Sequence, residues 1–169
     1  MKLALLFLGL AAAYLLIGWL VSFPIRFRSY TLSSPKIKAP VRLAVVSDLH
    51  STVYGPDQKR LLDKLRQSRC DLILMPGDII DDIKPLRGAE LFLDQVSAIA
   101  PCYYCTGNHE NIETLITLPE VKARVRQAGI TVLDNTRETI TIRGTRLTLC
   151  GVDDPRKYAY IDRDQQEEV

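Results

Sequence analysis

Three short apolar runs in this chain stop in the same way, and their spacing narrows the possible folds more than any other feature. Leu43 to Ser47 runs into Asp48-Leu49-His50, Leu72 to Met75 into Pro76-Gly77-Asp78, and Tyr103 to Thr106 into Gly107-Asn108-His109-Glu110. Asp48, Asp78 and Asn108 follow one another at intervals of 30 residues, about one strand-helix-strand unit. An apolar run without alternation, bounded by polar residues or proline, reads as a strand buried on both faces. Each polar group then leaves the carboxyl end of a parallel strand, the edge at which open α/β sheets bind ligands. Both histidines of the chain, His50 and His109, fall at that edge. The coincidence points to a metal site.

The segments between the runs predict the helices that connect them. Asp57 to Gln67 sets Leu61, Leu62 and Leu65 on one face, and Gly88 to Ala100 does the same with Leu91, Phe92, Val96 and Ile99 before Pro101 closes it. Between them Asp81 and Asp82 lie in a loop that Pro85 ends. A third helix, from about Pro119 to Ala128, stops at Gly129 and leads into a strand at Ile130 to Leu133. Thr139 to Ile142 and Arg146 to Cys150 alternate and are β-branched, a hairpin pattern joined through Arg143-Gly144-Thr145. The fold class is α/β, in which alternating strands and helices pass into antiparallel strands of one mixed sheet.

The front of the chain obeys a different rule. Leu3 to Phe23 is 21 residues without a charge, and about 20 apolar residues let a helix cross a bilayer. The run is longer than a signal-peptide core and lacks a small-residue cleavage site, while Trp19, Arg26 and Arg28 make an interfacial flank. The expectation is a single-pass transmembrane anchor over 1–25, a Ser, Pro and Lys linker over 26–40 and the globular domain over 41–169. Basic residues on both sides of the run leave open which face of the membrane the domain occupies.

The first 40 residues hold five basic and no acidic side chains, leaving 17 basic and 20 acidic for the rest. The globular part is therefore net negative and has no electrostatic footprint for nucleic acid. Cys70, Cys102, Cys105 and Cys150 sit in or beside apolar runs and read as small buried hydrophobes. The pair in Cys102-Tyr103-Tyr104-Cys105 points to opposite faces of a strand and has no second pair. No Gly-x-Gly-x-x-Gly follows the first strand, which sets a dinucleotide-binding domain aside.

Asp48, His50, Asp78 and Asn108 offer carboxylate, imidazole and amide oxygen, a set suited to Mn, Fe or Zn. Asp78, in the middle loop, is the natural bridge between two divalent ions that clamp a phosphoryl group. His109 is placed to protonate a leaving group. The blocks Val46-Ser47-Asp48-Leu49-His50, Pro76-Gly77-Asp78 and Thr106-Gly107-Asn108-His109-Glu110 resemble the first three signature blocks of the calcineurin-like metallophosphoesterases. Cys150-Gly151-Val152-Asp153-Asp154 resembles a later one. With its leading apolar run the chain is similar to the bacterial membrane-associated branch that includes UDP-diacylglucosamine pyrophosphohydrolases and related phosphodiesterases.

The resemblance implies a sandwich of sheets flanked by helices and a metal-activated water that hydrolyses a phosphomonoester, phosphodiester or pyrophosphate. The substrate would be a small or lipid-linked phosphorylated molecule at a bacterial inner or plasma membrane. It implies Asp48 and His50 on the first metal, Asp78 bridging, Asn108 on the second, and His109 catalytic without being a ligand. The family adds further histidines from later loops, and none follows His109 here. The expectation is thus the amino-terminal portion of such a domain, with a catalytically incomplete tethered remnant as the alternative.

Overall fold

The computed structural model describes residues 7–16, 25–112 and 115–154. The chain separates into two compact units, Met1–Leu32 and Ser33–Val169. In the first, residues 7–16 are helical. Among the described residues no helix is long and apolar enough to cross a membrane; the anchor expected at Leu3 to Phe23 lies partly outside them. The polar tail Asp162 to Val169 lies outside them entirely.

The second unit runs β1 (Leu43–Val45), α1 (Lys59–Ser68), β2 (Leu72–Met75), α2 (Arg87–Val96), β3 (Cys102–Tyr104), α3 (Leu118–Gln127), β4 (Thr131–Val132), β5 (Arg137–Ile142) and β6 (Thr145–Cys150). The first four strands form a parallel sheet in the order β1-β2-β3-β4. Leu43 pairs with Leu72, Ile73 with Cys102 and Tyr103 with Thr131. This register brings the strand ends, and the three polar groups that follow them, to one edge.

One expectation needs correction. Among the described residues β5 and β6 do not extend the parallel sheet into a mixed one; they pair only with each other, as a separate antiparallel sheet. Ile140, Ile142 and Leu149 of the hairpin, with Leu74 of β2, pack on Leu72, Tyr103 and Leu133. The alternation that predicts a hairpin fixes an apolar face but not whether that face stacks on a sheet or continues it. The turn is also tighter than expected. Arg143 (φ 48°) and Gly144 (φ 75°) make a two-residue turn with both residues left-handed, and Thr145 already pairs with Ile142.

α1 buries the face its leucines predict, Leu61, Leu62 and Leu65; α2 buries Phe92 and Val96 as expected but Leu93 in place of Leu91 and Ile99, which are only partly buried; α3 buries Val121 and Val125. Each such side chain contributes about 1.5–3 kcal/mol. α1 begins two residues later than its pattern because Asp57 and Gln58 are left-handed (φ 48° and 61°). That conformation sends the Gln58 side chain inward, where its amide donates to the Thr52 and Gly88 carbonyls (2.7 and 2.8 Å) and accepts from Tyr54 N–H (2.8 Å). α2 ends at Val96, before the expected Ala100. A turn follows in which Ile99 N–H donates to Val96 C=O (3.0 Å), since the residue before Pro101 disfavours helical backbone. α3 stops where its glycine predicts. Gly129 N–H reaches Arg126 C=O and Ile130 N–H reaches Val125 C=O, the two bonds of a Schellman motif.

Candidate metal centre

Past the ends of β1 and β2 the two backbones stay paired. Val46 N–H donates to Leu74 C=O (2.9 Å), Asp48 to Gly77 (3.3 Å), His50 to Asp78 (2.9 Å) and Ser51 to Ile79 (3.0 Å). Asp48, His50 and Asp78 sit at φ 54°, 45° and 54°, left-handed backbone that is uncommon for residues with a Cβ. Such conformations cost on the order of 1–3 kcal/mol each and gather at functional sites. Two glycines let the loops come this close. A Cβ on Gly77 (φ 101°) would lie 2.3 Å from Gly107 N, and one on Gly88, at the start of α2, would lie 1.8 Å from Ser51 O.

One ligand atom from each of Asp48, His50 and Asp78 lies within 4.8 Å of the others. Asp48 Oδ1 and His50 Nε2 are 3.9 Å apart, too far to hydrogen-bond, the separation of donors that face a shared guest. Two carboxylates and an imidazole at that spacing fit a divalent Mn, Fe or Zn ion. Asp78 is half-buried, and its Oδ1 accepts His109 N–H (3.0 Å). Asn108 stands between Gly107 and His109, and both neighbours crowd the Asp78 carboxylate. The three loops therefore converge on Asp78.

Each histidine has its own acid. His109 Nδ1 lies 2.7 Å from Asp82 Oδ1. That bond raises the imidazole above its ordinary pKa against the opposing effect of burial, with help from the charges of Asp78 and Asp81. His50 Nδ1 lies 3.3 Å from Asp81 Oδ2, but off line, so the buried nitrogen has no hydrogen bond. Burial pushes the Asp81 carboxyl up, yet the N–H groups of Lys84 and Ile83 outweigh it and hold the group below its usual range. The two rings meet edge to face with centroids 4.4 Å apart. His50, Asp81 and His109 form a second group whose ligand atoms lie within 4.8 Å of one another.

The sequence pattern shows Asp81 and Asp82 only as loop residues. The available signal was chemical: a metal-binding histidine usually gives its other ring N–H to a carboxylate, and these acids follow Gly-Asp by three and four residues. Asp153, in the later block, is buried beside the third loop. It accepts Thr106 Oγ1–H (2.8 Å) and meets Lys122 Nζ (3.1 Å), which also reaches Asp134 (2.8 Å).

A family model described as calcineurin-like phosphoesterase matches residues 41–167. A Caenorhabditis elegans protein named as a metallophosphoesterase is 31% identical over 120 residues, 68% of this chain and 24% of that protein. The phosphopantetheinyl hydrolase of Mycobacterium tuberculosis superposes with a TM-score of 0.50 at 16% identity, covering 76% of this chain and 52% of that one. At that identity the likeness is one of fold. The chain spans about a quarter of the length of the worm protein and about half of the solved structure.

Proposed function

Because the chain belongs to the calcineurin-like phosphoesterase family, we propose that it forms a two-cation centre for hydrolysis of a phosphomonoester, phosphodiester or pyrophosphate. The observation that carries this reading is the convergence of Asp48, His50 and Asp78 donors within 4.8 Å at the sheet edge. Asp48 and His50 hold the first cation, Asp78 serves both, and Asn108 completes the second. Divalent ions bound there supply Lewis acidity toward phosphoryl oxygens and acidify water at neutral pH.

The chain's own residues do the rest. Asp82 fixes His109 with Nδ1 toward the carboxylate (2.7 Å), which leaves Nε2 as the atom that hands a proton to the departing oxygen. Asp81 stands beside Nδ1 of His50 (3.3 Å) and offsets charge on the ring without hydrogen-bonding it, while Nε2 lies on the Asp48 side. The uncharged run Leu3 to Phe23 supports a single-pass tether to a bacterial inner or plasma membrane. A lipid-linked substrate, of the kind taken by the UDP-diacylglucosamine pyrophosphohydrolase branch, follows from that proximity.

The test is hydrolysis of bis-para-nitrophenyl phosphate with added Mn2+, by the chain and by Asp78→Asn. Turnover lost in the variant is expected; equal turnover overturns the assignment. A second reading, a tethered domain that binds cations without turnover, is favoured by the 67% exposure of the Asp48 side chain. Calorimetric binding of Mn2+ with no hydrolysis would select it.

A further inference from the structure

Glu110 closes the third loop, stands outside the set of donors, and is nevertheless only 2% exposed. Its carboxylate accepts four backbone N–H groups: Oε1 from Ile79 (2.7 Å) and Ile80 (3.1 Å), Oε2 from Asp78 (2.9 Å) and Gly107 (2.9 Å). Three of those donors are consecutive, a concavity of the kind that binds a free anion. Here the anion is supplied by the chain itself. Charge-assisted bonds of this type are about twice as strong as neutral ones, and four of them meet on one buried group.

The middle loop is what the other two hang from. Asp48, His50 and Ser51 donate to its carbonyls, and His109 donates to the Asp78 carboxylate. Asp78 keeps its left-handed backbone because both of its peptide groups are tied: its N–H to Glu110 and its C=O to His50 N–H. We propose that Glu110 is a positioning residue that sets the cation affinity of the centre by welding the Asp78 loop to Gly107, touching neither cation nor substrate. The inference rests on the metal-centre reading above and deepens it. Without the carboxylate, the amides of Asp78, Ile79 and Ile80 have to find other acceptors. The loop then rotates, and Asp78 is withdrawn from its place between the flanking loops.

The test is calorimetric titration of the full chain with Mn2+, together with the visible spectrum of its Co2+ form. Glu110→Gln keeps the shape and one acceptor oxygen but turns an NH2 toward two of the four donors. Expected are 10- to 100-fold weaker Mn2+ binding, the range for residues that orient metal ligands, and a shifted Co2+ absorption envelope, with the circular dichroism of the fold retained. Val125→Ala, fully buried in α3, controls for lost stability and should keep wild-type affinity. Glu110→Asp, shorter by one methylene, should fall between Gln and wild type and carries the measurement if Gln does not fold.

Wild-type affinity and spectrum in either folded Glu110 variant overturn the proposal while leaving the metal centre standing. Failure of both variants to fold makes Glu110 a structural residue and overturns it as well. Absence of Mn2+ binding by the wild-type chain, with no loss to measure in Asp78→Asn, removes the centre itself and the proposal with it.

Discussion

Asp81 and Asp82 are neighbours in sequence, yet only Asp82 bonds the His109 imidazole, while Asp81 stands beside His50 and reaches His109 through its charge. Asp82→Asn removes the charge beside His109 Nδ1 while nearly conserving shape. With a general acid contributing roughly 10²- to 10⁴-fold, losing its partner should lower kcat on a diester with an alkoxide leaving group by about 10- to 100-fold, and far less on bis-para-nitrophenyl phosphate, whose leaving group needs little protonation. KM and Mn2+ affinity should hardly move. Steady-state kinetics beside calorimetry checks this, and an equal drop in cation affinity would show that Asp82 serves the cations instead. The meeting of Asp48, His50 and Asp78 at one edge was legible because strand ends and a 30-residue interval mark their loops. The left-handed backbones of Asp48, His50 and Asp78 were not legible, since they arise from pairing between loops distant in sequence.

At the scale of elements, α3 is pinned to the loops after β4 and β6 by a buried cation. Lys122, 6% exposed, meets both Asp134 and Asp153. Breaking a buried ion group by removing one member typically costs about 3–5 kcal/mol, so Lys122→Met should destabilise the unit by roughly 3 kcal/mol. Urea unfolding followed by circular dichroism measures it, and a change under about 1 kcal/mol would mean that the lysine is dispensable. The helices were foreseen to within a few residues because their apolar spacing is strong. The exceptions have local causes, the inward side chain of Gln58 before α1 and the turn before Pro101 after α2. Cys150 departs from its reading too: it lies on the outer face of β6 and is exposed, whereas Cys102 is buried and pushed up to about 12 by burial and then by Cys70.

For the molecule as a whole, Asp48, Asp78, Asp81 and Asp82 bring four carboxylates to one edge, and cations that neutralise them should raise stability. Mn2+ at about 100 times its dissociation constant adds about 2.7 kcal/mol, which for a chain of this size moves Tm by about 5–10 °C. Thermal unfolding with and without Mn2+, and after chelation, reads the shift; an unmoved Tm would speak against any specific site. The parallel order of the first four strands was legible from their alternation with helices, whereas the stacking of the β5-β6 hairpin on that sheet came only from the sandwich that the family resemblance implies and not from the hairpin's own pattern. An apolar face does not name its partner. The backbone lacing that runs from Ser51 through Ile79 to Glu110 has one further result. If the proposed pair of cations binds there, the one that orders this segment lowers the cost for the other, and a Mn2+ titration should show the two loading together.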